Sequence, residues 1–337
     1  MGHICELKGV IKEYRARGGL FDSERAAIQA LGGVDLCLKE NEILGLVGES
    51  GCGKSTLAKV LLGLERPTTG SVLFSGKDIA SLAPSGLKAF RRQAQMVFQD
   101  PFSSLNPKKT VFKTLGEPMK IHSLCKKSEL RGRVAALLNE VGLDASAMDL
   151  YPHEFSGGQR QRIGLARALA TGPRLIVADE PTSALDVSIQ AQVINLLMDL
   201  QERRGLTYLF ISHDLPIIQF VSHRVAVMYK GFIVEIMPRG AFFGRGLDAR
   251  RSPQDPLHHP YTEYLLKAVP LPDPRRRLSE AAGEIEDSKP DIPPPGGPKA
   301  RSCPFHARCG LASGICLKAR PQLRMVGDNH FISCHAV

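Results

Sequence analysis

The stretch that decides the fold is Glu42-Ile43-Leu44-Gly45-Leu46-Val47-Gly48-Glu49-Ser50-Gly51-Cys52-Gly53-Lys54-Ser55-Thr56. Its first half is a short apolar run ending in glycine, the pattern of a buried strand. Its second half fits G-x-x-x-x-G-K-[ST], and residues 55–63 behind it read as a helix. A glycine-rich loop between a strand and a helix curls its backbone N–H groups onto phosphate oxygens. The helix N-terminus adds positive potential at the same point. Lys54 is then placed to reach the β- and γ-phosphates, and the Ser55 hydroxyl to ligate Mg²⁺. Gly48, Ser50, Gly51, Cys52, Gly53, Lys54, Ser55 and Thr56 are the candidate nucleotide-binding residues. Only the backbone of Cys52 is needed, so its thiol reads as small filler.

A phosphate loop needs an acid at the end of a neighbouring buried strand. Leu175-Ile176-Val177-Ala178-Asp179-Glu180 supplies it, because apolar residues without alternation mark a strand covered on both faces. Asp179 is the metal-side acid. Glu180 falls near the γ-phosphate, where a carboxylate can polarise an attacking water. Two adjacent carboxylates are costly without a cation, which Mg²⁺ would provide.

Further out, residues 207–211 and 224–229 read as more buried strands, and residues 128–141 and 187–201 as helices. In the first of these helices Leu130, Val134, Leu137, Leu138 and Val141 share one face. Strands alternating with helices predict an α/β fold with a mostly parallel sheet. Composition changes near residue 238, and Pro290 to Pro298 cannot be helix or central strand, so it reads as a linker.

The chain has 337 residues and a formal net charge of +10. With 43% hydrophobic and 23% charged residues it fits a globular protein and excludes bulk disorder. Its longest charge-free run, residues 187–198, is too short for a membrane-spanning helix. The first residues carry no signal pattern, and Glu6 stands where myristoylation wants Ser or Thr. The basic balance by itself admits nucleic acid, anionic lipid or nucleotide phosphate.

Phe155-Ser156-Gly157-Gly158-Gln159-Arg160-Gln161-Arg162 lies just upstream of Asp179. Ser156 and the N–H groups of Gly157, Gly158 and Gln159 open an amphipathic helix and form a second anion site. This segment resembles the signature of ABC-type ATPases, with Phe155 where Leu is commoner. The other motifs of that family follow in order over residues 4–240. Tyr14 resembles the aromatic that stacks on adenine. Gln99 resembles the lid-loop glutamine that touches Mg²⁺ and the transmembrane partner. Asp186 ends Ser183-Ala184-Leu185-Asp186, which resembles the loop crossing the dimer interface. His213 resembles the switch histidine at the γ-phosphate.

The resemblance implies a P-loop NTPase with a mixed sheet core, an antiparallel β subdomain, a helical signature subdomain over about residues 85–165 and a small C-terminal cysteine extension. It gives a nucleotide-binding domain over residues 1–240, an extension and linker over 241–298, and a cysteine module over 299–337. It also implies that ATP and Mg²⁺ bind between two subunits. Each signature then closes over the opposite nucleotide, and Glu180, His213 and Gln99 serve hydrolysis.

Leu105-Asn106-Pro107 and His259-Pro260-Tyr261-Thr262-Glu263-Tyr264-Leu265-Leu266 narrow the likeness to dipeptide and oligopeptide permease ATPases. So do Cys303, Cys309, Cys316 and Cys334, which resemble the C-terminal extension that holds a [4Fe–4S] cluster in some members. Four thiolates suit iron–sulfur or Zn²⁺ equally in number, but the spacing lacks the close Cys pairs usual for zinc. His306, His330 and His335 lie nearby as substitute ligands. The implied partners are a homologous D-type ATPase, two transmembrane permease subunits and an extracytoplasmic substrate-binding protein. The implied location is peripheral, at the cytoplasmic face of the inner membrane, where anionic headgroups account for the basic charge without nucleic acid. Two alternatives stay open. One is an importer of nickel, glutathione or antimicrobial peptides, and the other a soluble ABC ATPase outside transport.

Overall fold

The computed structural model describes residues 2–14, 28–100, 104–243, 258–268 and 302–337. The polar segment 15–27 after Tyr14 and the proline-rich 290–298 expected as a linker lie outside the described residues, as does most of 241–298. The chain starts with β1 (His3–Tyr14) and β2 (Ile28–Lys39), then runs through β3 (Ile43–Val47) into the phosphate loop. The short strands β4 (Thr69–Phe74) and β5 (Lys77–Asp78) follow, then β6 (Ala94–Val97), β7 (Leu175–Asp179) and β8 (Thr207–Ile211). β9 (Arg224–Tyr229) and β10 (Phe232–Pro238) form a hairpin, and β11 (Arg324–Gly327) and β12 (His330–Ile332) come near the end.

Two sheets result. The smaller has the order β2-β1-β4-β5 and is antiparallel. The larger has the order β11-β12-β10-β9-β3-β8-β7-β6. Its β9-β3-β8-β7-β6 half is parallel, and the rest is antiparallel. The expected mixed sheet and antiparallel β subdomain are therefore both present.

The parallel strands lack alternation because both faces are covered. Ile43 and Val47 of β3, Ile176 and Ala178 of β7, and Tyr208 and Phe210 of β8 face one core, with the helices. Leu44 and Leu46, Leu175 and Val177, and Leu209 and Ile211 face the other, with the helix Lys54–Leu61 and the antiparallel sheet. The helices Pro84–Gln93, Val111–Ile121, Leu130–Glu140 and Gly157–Leu169 make up the helical region around residues 85–165. The helix read from residues 187–201 runs on as Val187–Arg204, and Gly205 ends it in the left-handed conformation.

The C-terminal cysteine segment differs in composition, yet β12 pairs with β10 and extends the main sheet. Cys303, Phe305 and Cys316 belong to the helix-side core. Arg320 lies over the Phe232 ring at 4.7 Å and donates to the carbonyl of Gly32. The segment is packed into the body of the chain, with no separate core of its own among the described residues.

Candidate functional site

Register places the site. Val97, Ala178, Phe210, Gly45 and Val225 lie in one row across β6, β7, β8, β3 and β9. Two or three residues beyond that row come Gln99, Glu180, His213 and Gly48. All four motifs thus leave the sheet at the carboxyl ends of its parallel strands, where ligands of open α/β sheets bind.

The phosphate loop runs from Gly48 into the helix Lys54–Leu61. Gly53 has φ 111°, and a Cβ there would stand 2.6 Å from the carbonyl oxygen of Ala30, so only glycine fits. Lys54 is buried, and its Nζ donates to the carbonyls of Gly48 at 2.8 Å and Glu49 at 2.9 Å. The Cys52 thiol sits 3.8 Å from Lys54 Nζ, and burial raises its pKa. That burial agrees with filler.

Asp179 ends β7 and is buried. Burial pushes its carboxyl above the ordinary carboxylate range; the Ser55 hydroxyl bonded to it opposes that shift, and Glu180 adds to it. A buried carboxylate beside a serine hydroxyl and a second acid is a donor set that fits a hard cation. Glu180 follows with φ 46°, a left-handed conformation uncommon for a side-chain residue, held by its N–H donating to Ile211 O at 2.9 Å. Gln99 Nε2 donates to Glu180 Oε2 at 2.8 Å, and His213 Nδ1 lies 3.2 Å from Glu180 Oε1. Residues from three strands thus meet on one carboxylate. Ser212 Oγ accepts from Asp214 N at 3.0 Å and fixes the turn that presents His213.

Tyr14 stands at the end of β1 with its ring exposed. Its hydroxyl donates to Glu65 Oε2 at 2.5 Å and also bonds Thr56, which brings the ring to the helix behind the loop. Lys12 Nζ lies 5.1 Å from the ring centroid.

The signature residues sit elsewhere. Ser156 caps the helix Gly157–Leu169 by accepting from Gln159 N at 3.3 Å, while Gln159 Oε1 accepts from Ser156 N at 2.9 Å. A Cβ on Gly158 would stand 2.3 Å from Ile189 Cγ2, so the glycine lets this helix press onto the one that begins after Asp186. Gly157 faces Leu185 of the same loop. Ser156 and Gln159 thus bond each other, and the two glycines pack on Leu185 and Ile189 rather than on the loop of Lys54.

Sequence reasoning missed two features. The first is a buried cluster around Glu235 on β10. Its carboxylate accepts from His330 Nε2 at 2.7 Å, His258 Nδ1 at 2.8 Å, His259 N at 2.9 Å and Thr262 Oγ1 at 2.5 Å. Burial raises the Glu235 pKa, but the hydrogen bonds from His258 and His330 outweigh it, and the net direction is down. Two imidazoles and an acid look like a metal site. The same contacts are also satisfied as hydrogen bonds when each imidazole carries its proton on the nitrogen facing Glu235. The second feature is that Tyr261 and Arg308 touch the phosphate loop. Nothing in their local sequence signals a loop 212 and 259 residues away.

All eight cysteines carry free thiols. Cys303, Cys316 and Cys334 are buried, and Cys309 is partly so. Cys303 N donates to Cys316 O at 2.8 Å. Burial, together with the neighbouring thiols, raises the pKa of Cys303 and of Cys309.

The ABC transporter family matches residues 31–183, and the oligopeptide/dipeptide transporter C-terminal region matches residues 254–316. The oligopeptide transport ATP-binding protein AppF of Bacillus subtilis is 46% identical over 98% of this chain and 97% of its own. A probable peptide ABC transporter ATP-binding protein of Sinorhizobium fredii is 44% identical over 98% of this chain and 89% of its own. Among solved structures, the dimeric cassette MJ0796 bound to ADP and Pi aligns with TM-score 0.61 and 31% identity, over 70% of this chain and 98% of its own. The cassette cbiO1 of Clostridium perfringens, part of the ABC transporter complex cbiONQ, aligns with TM-score 0.62 and 27% identity, over 72% of this chain and 91% of its own.

Proposed function

This chain belongs to the oligopeptide and dipeptide ABC transporter family as an ATP-binding subunit, and from that premise we propose how its residues turn over ATP and what the turnover drives. The substrate is ATP, and the drive goes to peptide import. The observation that carries the residue roles is the Glu180 carboxylate, held by Gln99 and near His213 beside the buried Asp179.

Lys54 and the loop amides bind the phosphates. Lys54 then exchanges its loop carbonyl partners for phosphate oxygens. Ser55, Asp179 and Gln99 would hold Mg²⁺, which when bound supplies positive charge against the phosphates and the two acids. Glu180 accepts the proton of the attacking water at a carboxylate oxygen. Gln99 and His213 fix the plane of that carboxylate, so little motion is needed when the water arrives. Tyr14 offers its exposed ring to the adenine.

Ser156, Gly157, Gly158 and Gln159 supply an anion site that this chain's own loop does not use, which supports binding to nucleotide held by a second ATPase subunit. Asp186 lies in the loop that crosses that interface. A D-type homologue is the partner expected for a permease of this class, with two transmembrane subunits and an external binding protein. Among the described residues no helix is long and apolar enough to cross a membrane. The relatives' role as transporter ATPases supports a peripheral subunit at the cytoplasmic face, and the +10 charge suits anionic headgroups.

Cys303, Cys309, Cys316 and Cys334 fit a [4Fe–4S] cluster better than Zn²⁺. The thiols are free, close enough to perturb one another and mostly buried. A cluster bound there would tie the turn after Cys303, the helix Gly314–Lys318 and the residues after β12 together.

The test is Glu180→Gln in the complete subunit. ATP binding persists, hydrolysis falls at least about a hundredfold, and ATP traps a closed dimer. Hydrolysis at the wild-type rate would remove Glu180 from the role of base.

A further inference from the structure

Glu49 lies inside the phosphate loop, yet its N–H and its carboxylate are held from the C-terminal part of the chain. Its backbone N–H donates to the Tyr261 hydroxyl at 2.8 Å. Its carboxylate accepts from Arg308 Nη1, at 3.1 Å to each oxygen. Its carbonyl accepts from Lys54 Nζ at 2.9 Å. The residue is thus a joint between the loop lysine and two distant segments.

Both holders are themselves braced. Tyr261 is fully buried, with its ring 4.5 Å from that of Tyr229 and 5.5 Å from that of Phe305. A buried phenol needs a polar partner, and a loop N–H needs an acceptor; each satisfies the other. The Glu235 cluster fixes the segment that carries Tyr261, because His258, His259 and Thr262 all bond that carboxylate. Arg308 packs over the rings of Tyr264 at 4.8 Å and Phe305 at 5.8 Å. It is presented by a single turn, His306–Arg308, between Cys303 and Cys309. From the other side, Gly231 N donates to Cys52 O at 2.7 Å, just after Tyr229. The Arg308–Glu49 pair is partly exposed, so it adds little to overall stability. What it does fix is the orientation of the loop's second residue.

We propose that Tyr261 and Arg308 are positioning residues of the nucleotide site, fixing the start of the phosphate loop through Glu49 and thereby setting the affinity for ATP. The inference rests on the reading that this loop binds ATP. It makes the C-terminal extension part of the ATP site and not merely an appendage for a partner. An Nη1–carboxylate contact and an N–H bond to a rigid phenol hold the loop in its binding shape before nucleotide arrives, so less ordering is left to occur on binding.

The experiment measures binding of a fluorescent ATP analogue and steady-state hydrolysis with the full chain. Tyr261→Phe removes only the hydroxyl and keeps the ring packing. It is expected to weaken ATP binding by about threefold to tenfold, the range of one net hydrogen bond. KM for ATP rises with it, while kcat at saturating ATP stays within about twofold. Arg308→Gln weakens binding in the same sense, and Arg308→Lys, which keeps the charge, restores part of it. In a Glu49→Gln background the further loss from Arg308→Gln disappears, as it must if the two act as a pair. Unchanged affinity in both Tyr261→Phe and Arg308→Gln overturns the proposal. So does a fall in kcat with KM unmoved, which marks a loss of folded protein. A wild-type chain that binds no ATP overturns the ATP-site reading itself, and is recognised because the variants then have nothing to lose.

Discussion

Gln99 Nε2 donates to Glu180 Oε2 at 2.8 Å across 81 residues of sequence. The bond joins the segment after β6 to the end of β7, the two strands that adjoin at one edge of the sheet. It leaves the carboxylate free to rotate only if the amide lets go. Gln99→Ala is therefore expected to lower kcat by about tenfold, a part of the 10²–10⁴ that a positioned base supplies, and to weaken ATP binding only in the presence of Mg²⁺, because the amide is also a metal ligand in the proposed site. Gln99→Glu should cost more, because it sets a second negative charge against Glu180. Steady-state hydrolysis beside nucleotide binding separates the two effects.

Charging Asp179 carries a cost, since burial favours the neutral carboxyl and Glu180 adds to that preference. Asp179→Asn removes the cost and keeps the shape. The nucleotide-free protein should then melt about 1–3 °C higher, while stabilisation by Mg²⁺ and ATP is lost. Thermal melts with and without Mg²⁺ and ATP read both. A lower midpoint without nucleotide would show that the Ser55 hydrogen bond outweighs the burial.

Glu235 should behave in the opposite way. Its hydrogen-bonded partners hold it below the ordinary carboxylate range despite burial, so its contribution to stability is present above that range. The contribution is lost as pH falls through the folded value. Glu235→Ala leaves two imidazoles, a hydroxyl and an N–H without their acceptor, and is expected to cost about 3–5 kcal/mol, as for other broken buried pairs. Glu235→Gln should flatten the acid limb of the stability profile, below the ordinary carboxylate range. Chemical unfolding at a series of pH values measures each.

The four C-terminal thiols make a direct analytical prediction. Anaerobic purification should give iron and acid-labile sulfide in equal amounts, with a visible chromophore that Cys316→Ser bleaches. Stoichiometric zinc would replace the iron–sulfur reading with a structural zinc one. The Cys316→Ser chain should also melt lower, because the turn carrying Phe305 and Arg308 loses its tie to the helix Gly314–Lys318.

The fold and most of the candidate site are legible in the linear order because their signals are local. The loop from Gly48 to Ser55, the run ending in Asp179 and Glu180, and Ser156-Gly157-Gly158-Gln159 each carry their chemistry within a few residues. Non-alternating strands announced a sheet covered on both faces, and the two cores on β3, β7 and β8 bear this out. Tertiary structure decided what depends on distance. Register across β6, β7 and β8 brought Gln99 and His213 to the Glu180 carboxylate. Pairing of β12 with β10 joined the cysteine segment to the main sheet. Closure of the C-terminal chain placed Tyr261 and Arg308 on Glu49. Those contacts follow from where distant segments pack, and a hydrogen bond between residues 212 positions apart leaves no periodicity in the sequence to be read.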